Sequence, residues 1–372
     1  MNYNKLDFVL KIWSLVLCVL VVLQGMAQNC HITGRVNVAG LQKKSVSVMN
    51  MNTGAMLGKT TIADSAFVFD IEVSEPFVGM LLTDPQTQGQ RNYYNFRFVV
   101  EPGSIYCDLV TDSLSGTPLN DRFHRFSSHC NYEVSVLNAQ YSQLRQKISV
   151  SAEERERKLQ EVEVRKNSLF SYVKDTYEAN KTNAVGALAL ENYLEYDDVS
   201  YETVMQMLVG AAPVVTTYQP LAGKLVKMEK LSHTAVGKPF IDLDLTDYKT
   251  GKPVKLSKVI KDKVALIDFW ASWCGPCRRE IPNIKKIHEQ YGSKDFVVIS
   301  LNVWDKPDGQ AKAIKDMGMT WTQLTDATRN STDTYGIEGI PQILLIGKEG
   351  KILARDLRGD DIEKAVKKAL ER

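Results

Sequence analysis

The chain has 372 residues, more than one compact core usually holds, so two or three folded units are expected. Apolar residues make up 44% of it, enough for ordinary globular cores. Lys and Arg number 46 against 44 Asp and Glu, a net charge of +2. That balance gives no electrostatic reason to expect nucleic acid as a partner.

The chain opens with the pattern of an export signal. Lys5 and Lys11 precede an apolar run from Ile12 to Leu23, and Gly25-Met26-Ala27 then offers small residues where a signal peptidase cuts. The run is short for a membrane span, which needs ~20 residues. Residues 1–27 are therefore expected to be a signal peptide with Gln28 as the new N-terminus; an uncleaved anchor is the alternative, and lipidation at Cys30 is disfavoured by the bulk of Asn29. The expected location is the periplasm or cell envelope. Loss of Cys18 with the signal leaves Cys30, Cys107, Cys130, Cys274 and Cys277 in an oxidising compartment. Cys30-His31 and His129-Cys130 lack the spacing of a zinc ligand pair, so a structural disulfide or buried thiols are expected there, and no metal.

Residues 28–119 read as a small antiparallel β-sandwich. Ile32 to Val36, Ser45 to Met49 and Phe67 to Ile71 alternate or run apolar in short pieces between Asn, Gly and Pro residues. Phe96 to Val100 and Ile105 to Val110 flank Glu101-Pro102-Gly103, which suggests a hairpin. Ile32-Thr33-Gly34, Phe67-Val68-Phe69, Glu101-Pro102-Gly103 and Leu114 to Asn120, in that order, resemble the domain of unknown function that precedes thioredoxin domains in many Bacteroidetes proteins.

Residues 120–232 read as an α-helical connector. Ser151 followed by Glu154 forms a capping box at a helix start. Leu159, Val162, Leu169, Val173 and Tyr177 then recur near helical spacing, a stripe that packs against neighbouring helices. The mixed charges from Glu153 to Lys158 fit a solvated face. No nucleophile constellation occurs here.

Residues 233–372 turn to a βαβ pattern. Lys263 to Ala271 holds a buried-strand run, and a helix is expected through Tyr291. Phe296 to Val303 reads as a second strand and Pro307 to Met317 as a helix. Ile343 to Ile346 and Lys351 to Leu353 bracket a turn, and a helix over Asp360–Leu370 closes the chain.

Trp273-Cys274-Gly275-Pro276-Cys277 lies between the first strand and its helix. Two cysteines separated by two residues can close a small reversible disulfide ring. The free amides and dipole of the helix start stabilise a thiolate on Cys274, the attacking species in disulfide exchange. Pro276 lacks only an amide hydrogen that a first turn does not need. Cys277 lies one turn in and suits the resolving role.

These residues, with Ile267 to Ser272 before them and Tyr335 to Pro341 after, resemble thioredoxin, and within that fold the exported TlpA/ResA-like branch. Arg278-Arg279-Glu280-Ile281-Pro282 and the long stretch between Val303 and Tyr335 fit that branch. The resemblance covers roughly the last third of the chain. It implies an α/β thioredoxin-like domain and thiol–disulfide oxidoreductase activity on protein disulfides. It implies that Asp268 relays a proton to or from Cys277, and that Trp273, Ile340 and a cis Pro341 line the substrate groove. Where thioredoxin has a lysine near that carboxylate, this strand carries Ser300, so desolvation would favour a protonated Asp268 more strongly. The Gly275-Pro276 pair resembles that of reducing members, which implies a reductase re-reduced by a membrane thiol-electron donor, with no bound cofactor. A homodimer through the N-terminal region is a further expectation.

Three rivals remain. A zinc-bound cysteine pair needs a second ligand pair, and none lies at useful spacing. A peroxiredoxin-like peroxidase needs a Pro and a Thr or Ser upstream of its cysteine, and Asp268 to Trp273 offers no Pro and no matching Thr. A partner-binding protein whose redox site only modulates binding is separable by assay.

Overall fold

A computed structural model describes residues 28–36, 41, 43–83, 95–145, 151–196, 199–292, 295–326, 328 and 330–371. The segment read as an export signal lies outside these. The chain divides into two compact units, Met1–Lys224 and Leu225–Arg372. Among the described residues no helix is long and apolar enough to cross a membrane.

Among the described residues of the first unit, eight strands come first: β1 (Gln28–Arg35), β2 (Ser45–Asn50), β3 (Met56–Thr61), β4 (Ala66–Val73), β5 (Phe77–Thr83), β6 (Asn95–Val100), β7 (Gly103–Asp108) and β8 (Ser113–Ser115). They form two four-stranded sheets, ordered β4-β1-β7-β8 and β3-β2-β5-β6. In β4 burial alternates residue by residue: Phe67, Phe69, Ile71 and Val73 face inward, as the period of two requires.

Two expectations need correction. The sheets are not wholly antiparallel, because β1 and β7 pair in parallel. Nor do β6 and β7 form a hairpin: β6 pairs with β5, and β7 with β1 and β8. Glu101-Pro102-Gly103 instead carries the chain from one sheet to the other. Gly103 supplies the left-handed backbone there, with φ +118°. Buried Glu101 accepts hydrogen bonds from the Leu119 and Asn120 amides at 2.8 and 3.0 Å, at the start of the first helix.

That helix, α1 (Pro118–Arg145), precedes α2 (Ala152–Asn180), α3 (Ala184–Tyr196), α4 (Tyr201–Met207), α5 (Pro213–Thr216) and α6 (Gln219–His233), within which the division between units falls. Ser151 caps α2 by accepting the Glu154 amide at 3.2 Å. Val162, Leu169, Val173 and Tyr177 are buried as the stripe requires, and the Tyr177 hydroxyl donates to Met207 O at 2.7 Å. Leu159 departs from it, being 38% exposed. α3 is covered on most sides and holds Glu191, which pairs with Arg97 of β6 and accepts the Tyr218 hydroxyl at 2.7 Å. That buried carboxylate ties sheet to helices.

The second unit is built on seven strands: β9 (Asp244–Asp247), β10 (Pro253–Lys255), β11 (Val264–Trp270), β12 (Phe296–Asn302), β13 (Thr322–Thr325), β14 (Gln342–Ile346) and β15 (Ile352–Ala354). Their order is β10-β9-β13-β12-β11-β14-β15. β11 runs parallel to β12, and β12 to β13; β14 is antiparallel to β11. The helices are α7 (Leu256–Val259), α8 (Gly275–Tyr291), α9 (Pro307–Asp316), α10 (Asn330–Thr334) and α11 (Asp360–Leu370). Helices cover both faces, so every residue of β11 is buried. Strand alternation splits the core in two. Leu266 and Trp270 of β11 join Ile281, Ile284 and Ile287 of α8 on one face; Ala265, Ile267 and Phe269 join Tyr335 and Leu344 on the other. This is a thioredoxin-like α/β domain.

Candidate active site

The site forms where β11 hands over to α8. Cys274 is the N-cap of α8, with extended backbone at φ −78° and ψ 102°, and Pro276 stands in the first turn. The Cys277 amide points back at Cys274 Sγ, 3.1 Å away. The two cysteines are joined by a disulfide, with Cα atoms 5.3 Å apart. Cys277, Ile281, Ile284 and Ile287 line the buried side of the helix.

The two cysteines differ little in exposure. Cys274 is 3% exposed and Cys277 not at all, while Trp273 is 63% exposed. The disulfide therefore shows only a sliver of one sulfur, beside an open indole. Trp273 is held by its own Nε1, which donates to Trp304 O at 2.9 Å.

The Ile340-Pro341 peptide is cis, as expected. It places the Ile340 carbonyl oxygen 3.6 Å from Cys274 Sγ. Ile340 packs against both core layers, and Pro341 is buried.

Asp268 is wholly buried on the face of β11 that meets α8, in one layer with Leu266 and Trp270. Ser300 of β12 and Ile343 of β14 are its cross-strand partners. Burial pushes its carboxyl up to about 7; the Ser300 hydroxyl and the Arg358 charge pull down against this, and Glu280 pushes up. The Ser300 hydroxyl lies 3.4 Å from Oδ2 and takes the Trp321 indole N–H at 2.8 Å. Oδ1 has no hydrogen-bond partner among the described residues.

Two supporting residues escaped the sequence reading. Asp305 accepts the Ser272 amide at 2.6 Å, the Ser272 hydroxyl at 2.8 Å, Asn302 Nδ2 at 2.9 Å and the Lys306 amide at 2.8 Å. It thereby joins the loop carrying Trp273 to the loop carrying Trp304. Burial raises its carboxyl, and these bonds outweigh burial and hold it below the ordinary range. Arg358 donates from Nη2 to Pro341 O and from Nη1 to Leu357 O, fastening the cis-proline loop to the start of α11. Only a local signal could have exposed either residue, and neither has one.

The other cysteines stand apart. Cys30, Cys107 and Cys130 are buried free thiols, and burial pushes them up to about 11, 12 and 12. Cys30 and His31 point to opposite faces of β1, and His31 pairs with Asp70 at 2.8 Å. Among the described residues no cluster of three or more His, Cys, Asp or Glu side chains could hold a metal.

Residues 235–370 match the Redoxin family. The thiol:disulfide interchange protein HelX of Rhodobacter capsulatus is 30% identical over 136 residues, 36% of this chain and 67% of that protein. The chain belongs to the ResA/HelX-like thiol–disulfide oxidoreductases. ResA of Bacillus cereus is 25% identical to the oxidoreductase over 172 residues, 46% of this chain and 94% of that one. Among solved structures, the thioredoxin domain of a Bacteroides vulgatus thiol-disulfide oxidoreductase is 33% identical, with TM-score 0.34, and covers 36% of this chain and 96% of its own. A DsbE-type interchange protein from Chlorobium tepidum is 33% identical, TM-score 0.34, covering 37% and 98%. In the oxidoreductase, the matched region contains the disulfide, the cis-proline loop and Asp268.

Proposed function

We propose that the protein reduces disulfides in exported proteins through Cys274 and Cys277. The observation that carries this reading is the placement of Cys274 Sγ: it caps α8, takes the Cys277 amide, and faces the Ile340 carbonyl beside exposed Trp273. The amide and the helix dipole favour a thiolate on that sulfur.

In the reaction the Cys274 thiolate attacks one sulfur of a substrate disulfide. A Cys274–substrate disulfide forms, and the other substrate sulfur leaves with the electron pair. Cys277 then gives its proton to Asp268, and its thiolate attacks Cys274 Sγ. The second substrate sulfur leaves, the Cys274–Cys277 disulfide closes, and two electrons have passed to the substrate. Trp273, Ile340 and Pro341 form the groove in which an extended substrate segment lies. A membrane thiol donor restores the dithiol. Export by residues 1–27 supplies the compartment, and the N-terminal sheets, resembling the Bacteroidetes domain of unknown function, hold a partner or a second copy.

Reduction of insulin by the full chain with dithiothreitol tests the activity, and the Cys274–Cys277 potential tests its direction. A potential near that of thioredoxin, roughly −270 mV, is expected. A potential near roughly −120 mV, as for a strong oxidant, would reverse the direction.

A further inference from the structure

Asp268, Ser300 and Trp321 form a buried chain of hydrogen bonds that crosses from β11 through β12 to the residue preceding β13. Ser300 and Asp268 are wholly buried, and Trp321 is 3% exposed. Its two links are Trp321 Nε1 to Ser300 Oγ at 2.8 Å and Ser300 Oγ to Asp268 Oδ2 at 3.4 Å. The direction of the chain is fixed at one end. An indole N–H can only donate. It occupies a lone pair of the Ser300 oxygen, so the single hydroxyl hydrogen points elsewhere, and Asp268 Oδ2 is the acceptor it meets.

We propose that Trp321 and Ser300 are positioning residues that commit Asp268 Oδ2 to accepting a hydrogen bond and so make Oδ1 the oxygen that takes up and releases the proton. The inference rests on the reading of Asp268 as the proton acceptor for Cys277. Oδ1 is buried without a partner among the described residues. A buried oxygen left unpaired is costly, and in a carboxyl group it leaves that oxygen open to a proton. In the resolving step the Cys277 S–H bond breaks, an O–H bond forms at Oδ1, and the sulfur's electron pair goes to Cys274 Sγ. Oδ2 keeps its donor in both states, so the carboxyl need not rotate.

No cation makes a hydrogen bond or ion pair to Asp268 among the described residues; its donor is the Ser300 hydroxyl. A hydroxyl donor stabilises the carboxylate more weakly than a charge would, and the 3.4 Å length makes it weaker still. Two charged groups also act on Asp268: Glu280 on α8 and Arg358 before α11. Ser300 from β12 and Ile343 from β14 add no charge. Removal of the donor should therefore raise proton affinity without changing the local charge.

The test is a 13C NMR titration of the full chain in its disulfide form, labelled at aspartate carboxyl carbons, with Asp268→Asn used to assign the signal. Ser300→Ala and Trp321→Phe should both bind the Asp268 proton about three- to tenfold more tightly, so the midpoint moves to higher pH. Ser300→Thr, which keeps the hydroxyl, should titrate like the wild type. If Ser300→Ala does not fold, Trp321→Phe and Ser300→Thr still decide the matter. A midpoint unmoved or lowered in Trp321→Phe overturns the proposal, as does a raised midpoint in Ser300→Thr. The titration needs no turnover: a wild type inactive on insulin with the midpoints shifted as stated would sink the reductase reading and leave the positioning role standing.

Discussion

The Ile340 carbonyl and Cys274 Sγ stand 3.6 Å apart, and the loop that holds this spacing is itself held by Arg358. A closed disulfide has no hydrogen to donate across that gap; a reduced Cys274 has. The spacing therefore depends on a loop whose carbonyl at Pro341 is gripped from the start of α11. Arg358→Ala removes both guanidinium bonds to backbone carbonyls, together with the ion pair to Asp356, and frees the loop by fractions of an ångström. Misplacement near 1 Å can cost a hundredfold in rate, so a loss of about three- to thirtyfold in kcat/KM on insulin is expected. Arg358→Lys should recover little, because an ammonium cannot reach Pro341 O and Leu357 O as a fork. Wild-type kcat/KM in both variants would show that the grip is dispensable.

Cys274 and Cys277 differ in position more than in exposure, and trapping variants separate their roles. Cys277→Ser leaves Cys274 able to attack but nothing to resolve the mixed disulfide. It should accumulate covalent complexes, visible on non-reducing gels and released by reductant. Cys274→Ser should accumulate none, since a serine hydroxyl is not ionised at neutral pH. Equal trapping by both variants would mean that the roles are not fixed.

What could be read from the chain was what local pattern encodes. Val264 to Trp270 is apolar except at Asp268 because both faces of β11 are covered, and the run reads as a buried strand. The paired cysteines and the Ile340-Pro341 cis bond followed from motif and resemblance. Glu101-Pro102-Gly103 misled, because a turn sequence reports a change of direction and not which sheet receives the next strand. Asp305 and Arg358 were invisible for a related reason. Asp305 clamps Ser272 across 33 positions, and Arg358 reaches Pro341 across 17. Neither separation has a period that sequence displays.

Asp305 gathers four hydrogen bonds from three neighbours, two of them backbone amides. Asp305→Ala strands the Ser272 amide in a half-buried loop, at a cost of about 1–3 kcal/mol. The same change loosens the loop against which Trp273 rests. A lower urea midpoint with an unchanged slope is expected, together with weaker binding of peptide substrates, read as a raised KM. The folded carboxyl is held below its unfolded value, so its contribution is present above the unfolded value and is lost as pH falls through the folded one. The gap between wild type and Asp305→Ala should accordingly close in acid. A constant gap from neutral pH into acid would show that the carboxylate charge is not what matters.

Asp268 should make stability depend on pH in the opposite sense. Burial pushes its carboxyl up to about 7, from 3.8 in the unfolded chain. Between these values the native state keeps a proton that the unfolded chain has released, so stability falls as pH rises through that window. Above about 7 the whole cost of a buried carboxylate is present, on the order of 4 kcal/mol by linkage. Asp268→Asn has the same shape and nothing to ionise, so that cost disappears. The amide adds N–H donors at the partnerless Oδ1 side, and an unpaired buried donor costs about 1–3 kcal/mol at every pH. The two effects act in different ranges, so the stability curves of wild type and variant should cross. Below the unfolded value the variant should be the less stable protein, and above about 7 the more stable one. Urea midpoints of the disulfide form at pH 4, 6 and 8 measure this directly. Parallel curves would mean that burial does not raise the Asp268 carboxyl in the folded chain.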